Sequence, residues 1–267
     1  MESAVAELEG AEAALRLAVD LRRSWFAFGQ LRYATDTLRR LIEPLANADG
    51  SPVVGRAAIV AGTLSLWLTE FESARALFET GLRHFERTGD VVHQVEALGL
   101  LSEANISLLD LMAAKDSLAT AERLASTLAD EGALLTVQRS LALLAYRLGD
   151  CEGASRHWAA RLHAALQDSA HSSEGRAARF QLARIGLDVA DYAAAVRQID
   201  VGASSAAHVG DGADLARWHH LHGIVLTELG EFDEALTTLR QAIDHYRAEG
   251  TPRSTPWVED CLAQLAL

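Results

Sequence analysis

The residues most suggestive of chemistry in this 267-residue sequence are three histidines in the stretch RWHHLHG. His219 and His222 are three positions apart, so on a helix both side chains lie on one face, and His220 lies beside them. Two imidazoles at that spacing can share a metal ion if another part of the chain supplies a third ligand. The alternative is that His219 and His222 occupy packing positions between helices while His220 faces a groove. In either arrangement, histidines that titrate near neutral pH predict a modest pH dependence.

No other pattern in the sequence indicates catalysis. The two cysteines, Cys151 and Cys261, form neither a disulfide framework nor a metal motif. No GxxxxGK phosphate loop is present. We therefore predict no catalytic residue, no bound metal and no cofactor, and we predict that the chain is not an enzyme. The rival hypothesis is a small-molecule or metal-binding sensor, or an enzyme, that uses the region from His219 to His222.

The charge and hydropathy of the chain exclude several classes of partner. The formal net charge of -13 argues against a broad basic face, so we predict no direct binding of nucleic acid. The N-terminal stretch MESAVAELEG is acidic and lacks the apolar core of a signal peptide. No run of about 18 apolar residues occurs, so no membrane span is predicted. These features predict a cytoplasmic protein without a membrane contact.

The composition favours helices throughout. Alanine and leucine dominate, runs of β-branched and aromatic residues are scarce, and hydrophobic residues make up 49% of the chain. The four prolines are Pro44, Pro52, Pro252 and Pro256, so no proline interrupts helices over 53–251. The sequence therefore predicts an all-α fold.

A repeat of about 40 residues organises these helices. Six stretches share a short turn, an apolar or aromatic residue (cysteine in one copy), and an alanine three residues later, as in LGEFDEALTTL from Leu229. The anchor alanines are spaced by 40, 40, 40, 41 and 40 residues; they are Ala34, Ala74, Ala114, Ala154, Ala195 and Ala235. Four residues after each anchor comes a large apolar residue on the same helical face; these are Leu38, Phe78, Leu118, Trp158, Ile199 and Leu239.

Each repeat is therefore predicted to be a helix A, a tight turn and a helix B. Pairs of this length bury their apolar faces only by stacking on neighbours. We predict a single domain over 1–267, with units at roughly 11–50, 54–90, 91–130, 131–170, 174–210 and 211–250. Residues 254–267 are predicted to form a capping helix on the last unit. The predicted architecture is a right-handed αα superhelix of six helix pairs plus this cap.

The units resemble the tetratricopeptide repeat. In the last copy, Gly223 matches the family's small residue of helix A, Gly230 and Phe232 match its turn, and Ala235 and Ala242 match its helix-B alanines. His219 and His222 replace the usual tryptophan and leucine, and the period is 40 rather than about 34 residues. The longer period, with phrases such as LRHFERTGD, resembles the repeat region of bacterial ATPase transcriptional regulators related to the maltose-regulon activator and AfsR.

The tetratricopeptide resemblance implies which residues line a concave groove. In that geometry the groove positions lie 18, 15, 11 and 8 residues before each anchor alanine. The residues that we single out there are Arg16, Arg23, Phe26, Arg56, Arg139, Tyr146, Phe180, Arg184, Arg217 and His220. Arginine forks suit carboxylates and aromatic rings supply contact area, so this set predicts a groove for a protein or peptide ligand with acidic groups.

The sequence is compatible with several hypotheses about the function of the chain. The leading hypothesis is a non-enzymatic interaction scaffold or sensor module, either alone or within a bacterial signalling or transcription regulator. The alternative for the groove arginines is ordinary solvated helix faces, with each arginine paired to a neighbouring Glu or Asp. A third hypothesis is a homo-oligomer formed through the apolar end of the array.

Overall fold

The computed structural model describes residues 2–27, 30–45, 51–128, 131–249 and 255–265, and every regular element in these ranges is a helix. The chain forms two compact units, an N-terminal unit, Met1–Gly149, and a C-terminal unit, Asp150–Leu267. The helices of the N-terminal unit are α1 (Glu2–Asp20), α2 (Arg22–Ala27), α3 (Leu31–Ile42), α4 (Pro52–Trp67), α5 (Phe71–Thr88), α6 (Val91–Ser107), α7 (Leu111–Leu128) and α8 (Glu131–Arg147). A short 3₁₀ turn, Glu43–Leu45, follows α3.

The C-terminal unit continues the same alternation of helices. Its elements are α9 (Cys151–Asp168), α10 (Ser173–Asp188), α11 (Tyr192–Val209), α12 (Gly212–Leu229), α13 (Phe232–Ala248) and α14 (Thr255–Leu265). Helices α10 and α11 pack as one pair, and α12 and α13 pack as the next. The buried side chain of Val258 on α14 joins the core of the last pair, which confirms the predicted capping helix.

The predicted anchor residues form the core of the repeats. All six anchor alanines are 0% exposed, and the large residues four positions later are at most 5% exposed. A small residue followed by a large one on the same helical face therefore does bury both, as the 40-residue spacing predicts. The predicted all-α fold of stacked helix pairs with a C-terminal cap is confirmed.

Glycines of helix A allow helix B to come very close. A Cβ atom added to Gly62 of α4 would lie 2.5 Å from the Phe78 ring of α5. At the equivalent place in α12, a Cβ atom on Gly223 would lie 2.5 Å from the Leu239 side chain. Both separations are far below van der Waals contact, so the large helix-B residue fills the space that glycine leaves.

The turns inside the repeats share one backbone conformation. The residue with positive φ recurs at the same place in each described turn; these residues are Thr69, Leu109, Gly149, Ala190 and Gly230. In the turns of Leu109, Gly149 and Ala190 an aspartate follows and caps the next helix, as when Asp191 accepts a hydrogen bond from the Ala194 backbone N–H at 2.9 Å. The left-handed residue ends helix A, so each of these turns needs only two or three residues before helix B begins.

The first repeat departs from the predicted pair at 11–50. Helix α1 begins at Glu2 and ends at Asp20. The helix is interrupted at Leu21 before α2 begins, so helix A of this unit is divided. Arg22 occupies the position of the small residue and is exposed. An arginine there cannot enter a close helix–helix contact of the kind that Gly62 permits, which accounts for the break. Residues 46–50 of this unit lie outside the described residues.

The boundary of the two compact units falls between α8 and α9, which the sequence assigns to one repeat at 131–170. The single domain over 1–267 therefore stays a prediction. Among the described helices, none combines the length and apolarity needed to cross a membrane.

The turn conformation leads to a prediction about stability. Gly230 has φ +79° with no neighbouring atom within 4 Å of a Cβ added there, so Gly230→Ala changes backbone strain alone. We expect it to lower the free energy of unfolding by about 1 kcal/mol, because left-handed backbone is costly for L-residues. The reverse change at the equivalent turn, Ala190→Gly, should raise it by about 0.5–1 kcal/mol. Urea unfolding followed by circular dichroism measures both, and equal signs for the two variants would contradict the argument.

Candidate ligand site

A cavity of about 390 Å³ opens in the C-terminal unit between α10, α12 and α13. Its apolar walls are the side chains of Phe180, Leu187, Leu221 and Ile224. Its polar and charged groups are Arg184, Asp188, Arg217, His220 and Tyr246. The volume lies in the range of roughly 300–1,000 Å³ that is typical of ligand pockets, and the mixture of apolar walls with few polar groups is typical as well.

Helical spacing explains why these residues converge. Phe180, Arg184 and Leu187 are four and three positions apart, so they lie along one face of α10. Arg217, Leu221 and Ile224 repeat that spacing on α12. Because α10 and α12 are helix A of successive repeats and contact each other, the two faces form adjoining walls.

A stacked arginine forms one wall of the cavity. The guanidinium carbon of Arg217 lies 4.4 Å from the centre of the Phe180 ring, and its Nη1 donates to Asp214 at 3.3 Å. The Phe180 ring packs edge-on against Trp218, which is fully buried, with the ring centres 5.3 Å apart. The cation–π contact and the hydrogen bond to the carboxylate both stabilise this placement of the Arg217 side chain, which is 47% exposed.

The titratable side chains of the cavity divide into neutral and charged groups. Burial lowers the pKa of His220, so its imidazole is neutral at neutral pH. Burial raises the pKa of Tyr246, whose phenol therefore keeps its proton. The cavity thus offers neutral hydrogen-bonding groups from these two residues, beside the guanidinium groups of Arg184 and Arg217 and the carboxylate of Asp188.

A cysteine and a histidine also meet at this end of the unit. The Sγ atom of Cys261 on α14 lies 3.8 Å from Nε2 of His220. A nucleophilic thiol needs a lowered pKa, usually beside a protonated imidazole. Here burial, together with nearby Asp260, raises the pKa of the Cys261 thiol, and burial lowers that of His220. This pair therefore lacks the ionisation that thiol catalysis requires.

His219 of the sequence motif lies in a packing contact. The ring of His219 stacks on that of His245 of α13, with centres 5.4 Å apart and planes 7° from parallel. Burial lowers the pKa of His219, and the neighbouring His245 and His222 lower it further. Within the described residues, no group of three or more His, Cys, Asp or Glu side chains is arranged to hold a metal ion.

The structure brings together four of the predicted groove residues, namely Phe180, Arg184, Arg217 and His220, in the cavity of the C-terminal unit. In the N-terminal unit, Arg16 and Arg56 line a smaller cavity of about 210 Å³. Nη2 of Arg16 also lies 3.5 Å from Oε2 of Glu12, one turn earlier on α1. The side chains of Arg23 and Phe26 lie outside the described part of the structure.

The remaining two predicted residues lie on α8. Arg139 donates to Glu103 of α6 from both Nε, at 2.8 Å, and Nη2, at 2.6 Å. This forked pair matches the alternative in which a groove arginine is satisfied by its neighbour. Tyr146, seven residues further along α8, is half-buried.

Sequence reasoning missed several residues of the site. Tyr246 lies on helix B, whereas the implied groove positions are all on helix A. Leu187 and Ile224 do lie at implied positions, 8 and 11 residues before Ala195 and Ala235, but were not singled out, and Asp188 and Leu221 each lie one residue after an implied position.

A second feature that the sequence did not reveal is the ion-pair network of Arg176. This arginine is 7% exposed and donates from Nε to Asp214 at 2.6 Å and from Nη2 to Asp211 at 3.0 Å. Its Nη1 donates to the backbone carbonyl of His171 at 2.8 Å. Asp214 is also the carboxylate that Arg217 contacts, so the network fixes one wall of the cavity.

Comparison with known proteins identifies the fold. No protein-family model matches the chain, and no curated protein matches it by sequence. A signal-transduction ATPase with numerous domains and a tetratricopeptide repeat sensor, from Pyrococcus horikoshii, is similar with TM-score 0.72 and 13% identity, over 93% of this chain and 37% of that chain. The Rap conjugation gene regulator of plasmid pLS20, in complex with the Phr* peptide, is similar with TM-score 0.67 and 12% identity, over 94% of this chain and 72% of that chain. BtubC from P. vanneervenii is similar with TM-score 0.62 and 17% identity, over 91% of this chain and 92% of that chain.

These similarities show a tetratricopeptide-repeat-like helical array, as the sequence predicts. The similarity to the signal-transduction ATPase covers 37% of that chain and is a likeness of fold. Identities of this size establish the fold alone, and function is argued from the site.

The buried histidines lead to a prediction about pH. The folded pKa of His219 is lowered from 6.5, so the unfolded chain takes up the proton first as pH falls. The stability contribution of the neutral ring is therefore present above about pH 6.5 and is lost as pH falls below it toward the folded pKa. Melting temperatures between about pH 7.5 and about pH 5.5 should fall less for His219→Gln than for the unsubstituted chain. The exposed His163 of α9 provides the control, and His163→Gln should leave the slope unchanged.

Proposed function

We propose that the chain is a non-enzymatic module that binds a protein or peptide segment through the faces of its A helices. The observation that carries the proposal is the cavity of the C-terminal unit, where Arg217 is held on the Phe180 ring beside apolar walls. A fixed guanidinium and buried aromatic area are the features that commonly dominate recognition of a protein segment.

Similar structures support a sensory role within this proposal. The pLS20 regulator binds a peptide in its structure, and the Pyrococcus horikoshii protein is a signal-transduction ATPase with a repeat sensor. We infer that the present chain senses a ligand for a bacterial signalling or transcription regulator, working in the cytoplasm. In such a role the array changes the activity of a neighbouring domain by binding, so it needs no chemistry of its own.

The cavity favours acidic groups in the ligand. Arg184 and Arg217 line it from α10 and α12 against the single carboxylate of Asp188 among its described lining residues, and His220 and Tyr246 are neutral. In the N-terminal unit the forked pair with Glu103 makes Arg139 less available to a ligand. The acidic-ligand proposal therefore depends on the C-terminal unit.

A second candidate is a sensor of a free small molecule at the same cavity. It is favoured by the cavity's volume of about 390 Å³, which suits a small organic ligand, and by His220, which belongs to the histidine motif. A homo-oligomer formed through the apolar end of the array remains a separate prediction, which light scattering tests directly.

The peptide proposal predicts the outcome of a binding selection. The purified chain is used to capture ligands from a soluble pool of random heptapeptides with free termini, and captured peptides are identified by mass spectrometry. We expect enrichment of peptides that combine acidic groups with large apolar residues, because the cavity pairs arginines with hydrocarbon walls. Affinities of the enriched peptides should fall about tenfold or more in the double variant Arg184→Glu, Arg217→Glu.

The matched control is Arg240→Glu. Arg240 is an exposed arginine on α13 of the same unit and does not line the cavity. The control changes the net charge in the same direction and should keep the affinity within about twofold, since a distant surface charge is largely screened. Equal losses in all variants, or no enrichment over a bead-only selection, would rule out the peptide proposal.

A further inference from the structure

The turn between α12 and α13 forms an exposed surface that combines apolar side chains with carboxylates. All of residues 228–234 are exposed, with Phe232 at 58% and Leu229 at 44%. We call this surface the terminal turn patch; its carboxylates belong to Glu228, Glu231, Asp233 and Glu234. An exposed apolar area with a polar rim is typical of a surface that a partner covers.

The place of Phe232 at the end of the array explains its exposure. Tyr192, at the equivalent position of the preceding turn, is half-buried and packs against the core of α10, α11 and α12. In the last pair, α14 joins a core that contains Leu239 and Tyr246 of α13 but not Phe232. Among the described helices, none therefore covers the first turn of α13 as α12 covers that of α11.

A glutamate at the equivalent turn of the N-terminal unit shows which groups this position can bind. Glu70 precedes α5 as Glu231 precedes α13, each four residues before its anchor alanine, and neither side chain caps its helix. The Glu70 carboxylate accepts hydrogen bonds from Nη1 of Arg32 at 2.9 Å and from Nη2 of Arg39 at 3.2 Å. These arginines are seven positions apart on α3, so both lie on one face of a neighbouring helix.

The C-terminal unit provides no such arginines for Glu231. The equivalent positions on α11, two residues before and five residues after the anchor alanine, are Ala193 and Asp200. Within the described part of the chain, no cation forms an ion pair with a carboxylate of the terminal turn patch. Glu231 therefore occupies the position of Glu70 without its guanidinium partners, and Asp200 adds a further negative charge.

The charge of the terminal turn patch distinguishes between possible occupants. A contact between the same patch on two copies of the chain would place carboxylates against carboxylates. A nucleic acid or an anionic lipid surface would be repelled for the same reason. A protein segment that carries arginines has the complementary charge. Because exposed ion pairs contribute little singly, such a segment must also cover the apolar area of Phe232.

We infer that the terminal turn patch binds a helical protein segment with two arginines seven positions apart and a large apolar residue between them. The arginines pair with Glu231 and the adjacent carboxylates, as Arg32 and Arg39 pair with Glu70. The apolar residue packs on the Phe232 ring. The patch shares no residue with the cavity of the C-terminal unit, so this inference goes beyond the proposed function and does not depend on it.

The test measures binding of designed peptides to the full chain by isothermal titration calorimetry. The probe is a helical peptide of alanine and glutamine, acetylated and amidated, with two arginines seven positions apart and a leucine four positions after the first. A second peptide has the same composition with the arginines five positions apart, so that they point to different faces. We expect the probe to bind about fivefold or more tightly than the second peptide, because only the probe presents both guanidinium groups together.

Variants of the chain assign this binding to the terminal turn patch. Glu231→Gln and Phe232→Ala should each weaken binding of the probe about fivefold, and both should keep the helical circular-dichroism spectrum because both side chains are exposed. The control is Asp244→Asn, which removes one exposed charge about 20 Å further along α13. It should leave the affinity within about twofold, since that distance exceeds the screening length.

A second pair of variants supplies the missing arginines within the chain. Ala193→Arg with Asp200→Arg recreates on α11 the arginines that α3 presents to Glu70. We expect this variant to bind the probe as weakly as Glu231→Gln does, because its own arginines occupy the carboxylate. The charge-matched control, Ala160→Arg with Asp168→Arg on the exposed face of α9, should bind the probe within about twofold of the unsubstituted chain.

The outcomes separate this inference from the proposed function. Equal affinities for the two arginine peptides, or an affinity for the probe that neither Glu231→Gln nor Phe232→Ala changes, overturns the inference. A dimer seen by light scattering that Glu231→Gln dissociates also overturns it, because a second copy is then the occupant. The probe carries no carboxylate, so a failed selection for acidic peptides removes the proposed function and leaves this inference standing.

Discussion

The repeats depend on one contact, in which a small residue of helix A meets a large residue of helix B. At Gly223 no Cβ atom could be added without meeting the Leu239 side chain at 2.5 Å, and Gly62 faces Phe78 in the same way. Because the two helices approach so closely, this face of helix A contacts only helix B of its own repeat. The remaining faces of the A helices contact the next repeat or the surroundings. Most groups that line the cavity therefore lie on one stripe of α10 and α12, namely Phe180, Arg184, Arg217 and His220, while Tyr246 reaches it from α13.

The sequence predicted the fold well because one contact repeats. Alanine and large apolar residues at a constant period of about 40 mark the same interface six times, and all of these residues are buried. The break at Leu21 was not predicted, because it depends on whether Arg22 can enter a helix contact, and a period cannot measure that. The positive φ of Leu109 and Ala190 was likewise hidden, since neither residue type favours that conformation.

The site was predicted only in part, for a related reason. The implied register on helix A placed four residues that do share a cavity, because helix geometry is regular. It could not show that Tyr246 reaches the cavity from helix B, since that depends on side-chain length and on the angle between α12 and α13. Nor could it distinguish Arg139, which is forked to Glu103, from Arg217, which is stacked on Phe180. Both are arginines at implied groove positions, 15 and 18 residues before their anchor alanines, and their partners Glu103 and Phe180 lie in the preceding repeat.

Charge sets how such a site can select a ligand. The chain carries a net charge of -13, so its long-range field does not attract anions toward the cavity. At physiological ionic strength this field is screened within about 8 Å, whereas Arg217 is held at the cavity by Asp214 and Phe180. Attraction for a carboxylate therefore begins only when the ligand is already close to the guanidinium. Because steering contributes little, discrimination must come from short-range contacts, namely the guanidinium fork and the fit to the apolar walls. The buried network of Arg176 with Asp211 and Asp214 serves that requirement, since it fixes the carboxylate that orients Arg217.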